Sequence, residues 1–350
     1  MAVVRLLHLS DTHGLHRSLG TPGCFDLPDA DILLHTGDFT DRGDPQEVAD
    51  FDAWLGELRR RGKFQHAVVI LGNHEWKQLR DYDAAKHSGM LARAFAGAPA
   101  VRELLPSATV LEHETLSLMG LRIYGCGWCP WHSHGSPDTV DRGQAAKELA
   151  EARRRGGGDG RGGAGGGAGG CDASAAAAAA AGGAAGAAGC IGHDRYDEIP
   201  EGIDVLLTHC APAGIFDQLE GSDCSWGSSR ALRSAVERSR PRAHLFGHIH
   251  EQRGCWARPA GAPQQSGPYM GGVEYQAVPG EAWPTWPPPP PDYPCALISC
   301  NAMMNHPGLE SSARGEHQAG RIAGPPRLVT AERATDDAEW VFRVEIAPQS

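Results

Sequence analysis

Short apolar runs that stop at Asp, Asn, Gly or His recur along the first 250 residues. Val3 to Leu9 ends at Asp11, Asp31 to His35 leads into Thr36-Gly37-Asp38, and Ala67 to Leu71 into Gly72-Asn73-His74-Glu75. Ile203 to Thr208 reaches His209, and His244 to Phe246 reaches Gly247-His248-Ile249-His250. Runs of this length, bounded by turn residues, predict buried strands. Thr109 to Leu111, Leu121 to Tyr124 and Val341 to Ile346 predict further ones. Between the second and third runs, Val48, Phe51, Trp54, Leu55 and Leu58 recur at helical spacing. Pro45 suits the first turn of that helix and Asp44 its N-cap. Ala84 to Phe95 and Ala231 to Arg238 also read as helical.

Strands alternating with helices predict an α/β fold around a sheet core. In such folds ligands bind beyond the carboxyl ends of the strands, where all five polar segments fall. Gly37, Gly72 and Gly247 then have a local role, permitting unusual dihedrals beside the polar residues. The pattern is read as one domain over 1–350, broken by three insertions. Residues 156–189 are almost entirely Gly and Ala, with seven consecutive alanines, and bury too little to offset their ordering entropy. Residues 258–293 are Pro-rich and expected as an extended or flexible loop, and 306–324 as a polar one.

The formal charge of −11 argues against a nucleic-acid partner, whose binding face would be basic. No apolar run reaches the ~18 residues of a membrane span, and Met1 leads into a core-like strand rather than a signal peptide. A cytoplasmic protein is expected. The ten cysteines are scattered and read as reduced thiols. Cys126 and Cys129 form a Cys-x-x-Cys pair without a matching second pair, and read as small buried residues beside a turn.

The strand-end segments carry the chemistry. Asp11 and His13 lie two apart and can turn toward one ion; Asp38 has two oxygens and can bridge two; Asn73 offers an amide oxygen; His209, His248 and His250 complete the set. Mixed carboxylate, imidazole and amide ligands suit manganese, iron or zinc. Two such divalent ions roughly 3.5–4 Å apart clamp a phosphoryl oxygen and activate a bridging hydroxide as nucleophile. His74, next to Asn73, is placed to protonate the leaving alkoxide, and with Asp38 forms the expected catalytic pair.

These segments resemble the calcineurin-like metallophosphoesterase superfamily, whose signature runs Asp-x-His, Gly-Asp, Gly-Asn-His, His, Gly-His-x-His. Ile32 to Gly43, Ile123 to Trp131, Ile199 to His209 and Phe246 to Glu251 are similar to its metallophosphoesterase-domain-containing (fetal-brain 239-like) group. The resemblance implies a four-layer α/β/β/α sandwich and metal-dependent phosphodiesterase activity. It implies a first metal on Asp11, His13, Asp38 and His250, and a second on Asp38, Asn73, His209 and His248. Cys210 departs from the Gly usual after that His.

Arg42 fits either a phosphate contact or a surface ion pair. Trp128 and Trp131 fit either stacking on a base near the mouth or core filling. His8 and His35 suit supporting or core roles, and Glu75 either orients His74 or caps a helix. The expected function is a two-metal phosphoric ester hydrolase acting on small phosphodiesters such as cyclic or linear nucleotides. The competing readings are a phosphomonoesterase or protein phosphatase, and a non-catalytic binding protein on the same fold.

Overall fold

The computed structural model describes residues 1–75, 102–129, 195–217, 228–259, 269–273, 288–304, 322 and 324–345. The expected helix over 84–95, Trp131 and the Gly/Ala tract lie outside them, as does most of 306–324. In chain order the strands of the first half are β1 (Ala2–Leu9), β2 (Ile32–His35), β3 (His66–Val69), β4 (Thr109–Val110), β5 (Glu114–Leu118) and β6 (Leu121–Cys126). Those of the second half are β7 (Val205–Thr208), β8 (Ala211–Pro212), β9 (Ser228–Ser229), β10 (Ala243–Phe246), β11 (Gly254–Ala257), β12 (Met270–Val273), β13 (Leu297–Cys300), β14 (Arg327–Arg333) and β15 (Val341–Glu345). Two α-helices that lie wholly within the described residues are α1 (Pro45–Arg60) and α2 (Arg230–Ser239). Among the described residues no helix is long and apolar enough to cross a membrane.

Of the two large sheets, one has six strands in the order β15-β14-β1-β2-β3-β4 and one seven in the order β12-β11-β13-β10-β7-β6-β5; β8 and β9 form a separate two-stranded pair. β1, β2, β3 and β4 run parallel, as do β6, β7, β10 and β13. Parallel strands buried on both faces read as continuous apolar runs, which is why all of these elements except β13 are legible in the sequence. Their alternating side chains feed two cores. Leu6, Leu34 and Val68 of the first sheet meet Ile123, Val205 and Leu245 of the second in one buried cluster. On the outer face of the first sheet, Leu7, Leu33 and Val69 pack against Val48, Phe51 and Leu55 of α1. On the other, Tyr124, Leu206 and Phe246 pack against Leu232 and Val236 of α2. The mixed α/β fold therefore has its two sheets back to back with helix outside each.

Helix α1 begins where Pro45 and Asp44 predict, with the Glu47 carboxylate accepting the Asp44 backbone N–H at 3.2 Å. The Pro-rich stretch 258–293 departs from the expected loop. Met270–Val273 forms β12 and pairs antiparallel with Gly254–Ala257, while Arg258, Tyr269 and Tyr293 are buried. Met-Gly-Gly-Val has little strand propensity of its own; the partner strand supplies the order. The edge strand β5, too polar to stand out, was likewise not predicted, nor were β11, β13 and β14.

Candidate metal centre

Every parallel strand in the middle of a sheet ends toward one place. The turns after β1 and β2 are tied together by the Asp11 N–H on the Gly37 carbonyl at 2.9 Å and the His13 N–H on the Asp38 carbonyl at 3.0 Å. Across the two sheets, the His248 N–H reaches the Asp11 carboxylate at 3.0 Å. The backbones approach closely, and a β-carbon at Gly72 would collide with the Asp38 side chain, one at Gly247 with those of Asp11 and Ser10. Gly72 and Gly247 are thus required for space. Only Gly37, at φ 97°, also needs the left-handed conformation expected of all three.

Strain marks the same spot. Asp11 (φ 51°), His13 (φ 42°), Asp38 (φ 53°) and His248 (φ 71°) all hold left-handed backbone conformations. Each costs of order 1 kcal/mol or more, and such residues persist where the surrounding structure fixes them, typically at functional sites.

All seven side chains singled out in the sequence converge. The Asp11 carboxylate lies 3.3 Å from His250 Nε2, which is 3.2 Å from His13 Nε2. His13 Nε2 is 3.7 Å, and His209 Nε2 3.3 Å, from the same oxygen of Asp38. His209 Nε2 and His248 Nδ1 then share Asn73 Oδ1, at 2.8 and 2.9 Å. Asp38 thus stands between the Asp11 side and the Asn73 side. Asp11, His13 and His250 form one group of donor atoms all within 4.8 Å of one another, Asp11, Asp38 and His209 a second, and His13, Asp41 and His74 a third.

The electrostatics ask for cations. Burial pushes the Asp11 carboxyl up, but the His250 hydrogen bond and the charges of His209 and His250 hold it below the usual carboxylate range. Burial acts the same way on Asp38, and there His209 and His74 prevail. Two ionised carboxylates away from water must be compensated by positive charge. Burial pulls His209 down, yet the Asp38 carboxylate raises it well above the ordinary imidazole value, so a cation is favoured where its Nε2 points. Carboxylate, imidazole and amide oxygen together suit divalent ions of intermediate hardness.

Several supporting contacts were not read from the sequence. His209 Nδ1 lies 2.8 Å from the Thr36 carbonyl and His250 Nδ1 contacts the Met304 carbonyl, which turns the other nitrogen of each ring inward. Glu75 is fully buried; it caps the helical turn that starts at Asn73, as one of its two expected roles has it, and does more. Its carboxylate accepts the N–H groups of Asp38 at 3.0 Å, Thr40 at 2.9 Å and Gly72 at 2.8 Å, binding the turn after β2 to the turn after β3. Backbone acceptors carry no residue signature, and Glu75 could have been found only by asking what satisfies two tight turns.

His74 sits at the rim, half-buried, with Nε2 3.9 Å from Asp38 and Nδ1 against the Asp41 carbonyl. Burial lowers its pKa, but the Asp38 charge and the Asp41 carbonyl prevail and raise it. Arg42 is exposed, its guanidinium 3.6 Å from the Asp41 carboxylate, which is the surface-pair arrangement. Trp128 takes the core-filling alternative and corrects the stacking one: it is buried in a hydrophobic cluster with Tyr124 and Tyr196. Among the described residues the seven cysteines, Cys126, Cys129 and Cys210 included, form no disulfide.

Three buried histidines brace the strands beneath. His8 bonds Thr36 and Ser299, each at 3.0 Å; His35 lies 3.2 Å from the Thr12 hydroxyl, and His244 2.8 Å from that of Thr208. Burial drives His244 and His35 down to about 3. Below the unfolded value of about 6.5 only the unfolded chain takes up these protons, so stability falls as pH drops from there toward 3. Urea unfolding of the metal-free protein between pH 7 and 4 is expected to show that loss. His244→Gln should remove roughly 1.4 kcal/mol per pH unit of the slope; an unchanged slope would contradict it.

Comparison with known proteins agrees with this geometry. Residues 4–153 match the family described as calcineurin-like phosphoesterase. Metallophosphoesterase domain-containing protein 1 of Homo sapiens and that of Mus musculus are each 28% identical over 264 residues, covering 72% of this chain and 62% of theirs. A UPF0046 protein of Caenorhabditis elegans is 30% identical over 258 residues, covering 72% of this chain and 70% of its own length. The chain thus spans less than two thirds of the human and mouse relatives' length. With the motifs, the double-sheet fold and these relatives in agreement, the chain belongs to the calcineurin-like phosphoesterase family.

Proposed function

We propose that the chain is a two-metal-dependent phosphoric ester hydrolase that cleaves small phosphodiesters, with cyclic or linear nucleotides the leading class. The observation that carries this reading is the convergence of Asp11, His13, Asp38, Asn73, His209, His248 and His250, with neighbouring donor atoms 2.8–3.7 Å apart. Asp11, His13, Asp38 and His250 would hold one ion, and Asp38, Asn73, His209 and His248 the other. When bound, such a pair polarises a phosphoryl oxygen and brings the pKa of a water between the ions toward neutrality.

The chain's own residues do the rest. Asp38, held by the His74 N–H on its Oδ1 at 2.8 Å, keeps the two halves of the cage in register. His74 faces the cage through Nε2 from the exposed side, where it protonates the departing alkoxide. The Asp41 carbonyl fixes the ring for that task. A diester carries one negative charge at neutral pH and a monoester close to two. The cationic groups described at the rim are His74 and, farther out, Arg42, whose charge is shared with Asp41. That modest provision suits the diester. The single domain over 1–350, interrupted in sequence by 156–189, 258–293 and 306–324, and a cytoplasmic location belong to the same proposal.

Hydrolysis of bis-(p-nitrophenyl) phosphate, p-nitrophenyl phosphate and cyclic nucleotides by the purified chain, supplied in turn with manganese, zinc and ferrous ions, tests the reading. Diester turnover that a chelator removes and metal restores is expected. A strong preference for the monoester would overturn the substrate class, and no turnover of any ester would overturn the activity.

A further inference from the structure

An imidazole that binds a metal through one nitrogen needs an acceptor for the proton on the other, and that acceptor decides which lone pair faces the ion. In His209 and His250 the acceptors are the carbonyls of Thr36 and Met304, both on Nδ1, so Nε2 is the nitrogen facing the cage. His248 is turned the other way. Its Nδ1 lies 2.9 Å from Asn73 Oδ1, inside the cage, so with an ion held between these two atoms its proton belongs on Nε2. That nitrogen lies 3.7 Å from the sulfur of Cys129.

We infer that the Cys129 sulfur accepts the Nε2 proton of His248 and so holds its Nδ1 lone pair toward the second ion, which makes Cys129 a positioning residue of the metal centre. The inference rests on the reading of His248 as a metal ligand. It gives a role to the Cys-x-x-Cys pair, whose second member follows the end of β6 by three residues and is buried. His248 is then fixed at both ends: its backbone N–H on the Asp11 carboxylate, its ring tip on Cys129. Its left-handed backbone, at φ 71°, gives such fixing a purpose, since an untethered residue would relax out of it.

Two substitutions separate an acceptor from a packing role. Cys129→Ser keeps an acceptor and gives up volume, whereas Cys129→Val keeps the volume and gives up the acceptor. Calorimetric titration of the metal-free full chain with zinc or manganese is expected to show two ions bound by wild type. Cys129→Val should weaken one of them by about 10–100-fold and spare the other, with Cys129→Ser much closer to wild type. The opposite order, Val tolerated and Ser impaired, would overturn the inference. So would a sulfur-to-metal charge-transfer band in the cobalt-loaded wild type, which would make Cys129 a ligand instead. Nitrogen-15 spectra of the unsubstituted, zinc-loaded protein read the tautomer directly: a proton on Nε2 of His248 is expected, and one on Nδ1 contradicts the inference. A wild type that takes up no second ion would instead remove the underlying metal reading, a failure the titration distinguishes from loss of the Cys129 contact alone.

Discussion

Asp38→Ala is expected to lower kcat/KM for bis-(p-nitrophenyl) phosphate by at least about 10³-fold, which corresponds to roughly 4 kcal/mol of transition-state stabilisation. The magnitude follows from where the carboxylate stands. One of its oxygens is 3.3 Å from His209 on the Asn73 side, 3.7 Å from His13 on the Asp11 side and 3.9 Å from His74 at the rim. Removing it leaves both halves of the proposed centre short of a ligand and of a negative charge. Alanine would also have to occupy φ 53°, a conformation that Asp tolerates better. Asp38→Asn keeps shape and backbone but loses the charge, and should still lose most of the activity. His209→Ala should be comparably inactive. Turnover by Asp38→Ala within tenfold of wild type would rule out a bridging role.

The second large effect is expected at His74. Its ring is at the rim and outside the seven proposed ligands, so His74→Ala should leave metal content unchanged while kcat falls about 10²–10⁴-fold. The fall should depend on the leaving group. A nitrophenolate departs without a proton, whereas a ribose alkoxide needs one, so the variant should be far worse on cyclic nucleotides than on the nitrophenyl diester. Equal losses on both would mean that His74 acts by charge or position rather than as an acid. Loss of metal in the same variant would mean that it supports the cage.

The sequence disclosed the centre more fully than its surroundings. Asp11, Asp38, Asn73, His209 and His248 were legible because strands buried on both faces form unbroken apolar runs, and polar residues at their ends stand out. The pairing of β1 with β14 was not, since Ala2 meets Arg333 across almost the whole chain and no local pattern encodes that register. The hairpin of β11 and β12 was hidden for a different reason. Gly271 and Gly272 suggest a loop, and only the neighbouring strand makes a strand of them. For Trp128 the sequence left stacking and core filling open, because composition does not say which face of the turn is the inner one; burial decides for the core. Glu75 was underestimated: a buried carboxylate serving three backbone N–H groups looks, in sequence, like any helix-starting Glu.

Glu75 also explains how strained turns are kept. Burial and the nearby Asp38 raise its pKa to about 7, while its contacts to Thr40 and Gly72 favour the ionised form. With these contacts made, the turn after β2 and the turn after β3 behave as one unit, which holds Asp38 and Asn73 in fixed relation before any ion arrives.

The most direct measurement is the metal content of the purified chain after loading and removal of excess ion, by elemental mass spectrometry, in wild type and in Asp38→Ala. The account predicts close to two divalent ions per wild-type chain and a marked deficit in the variant. A wild type holding none, or a variant holding as much as wild type, would contradict the claim that these seven side chains form one two-ion centre.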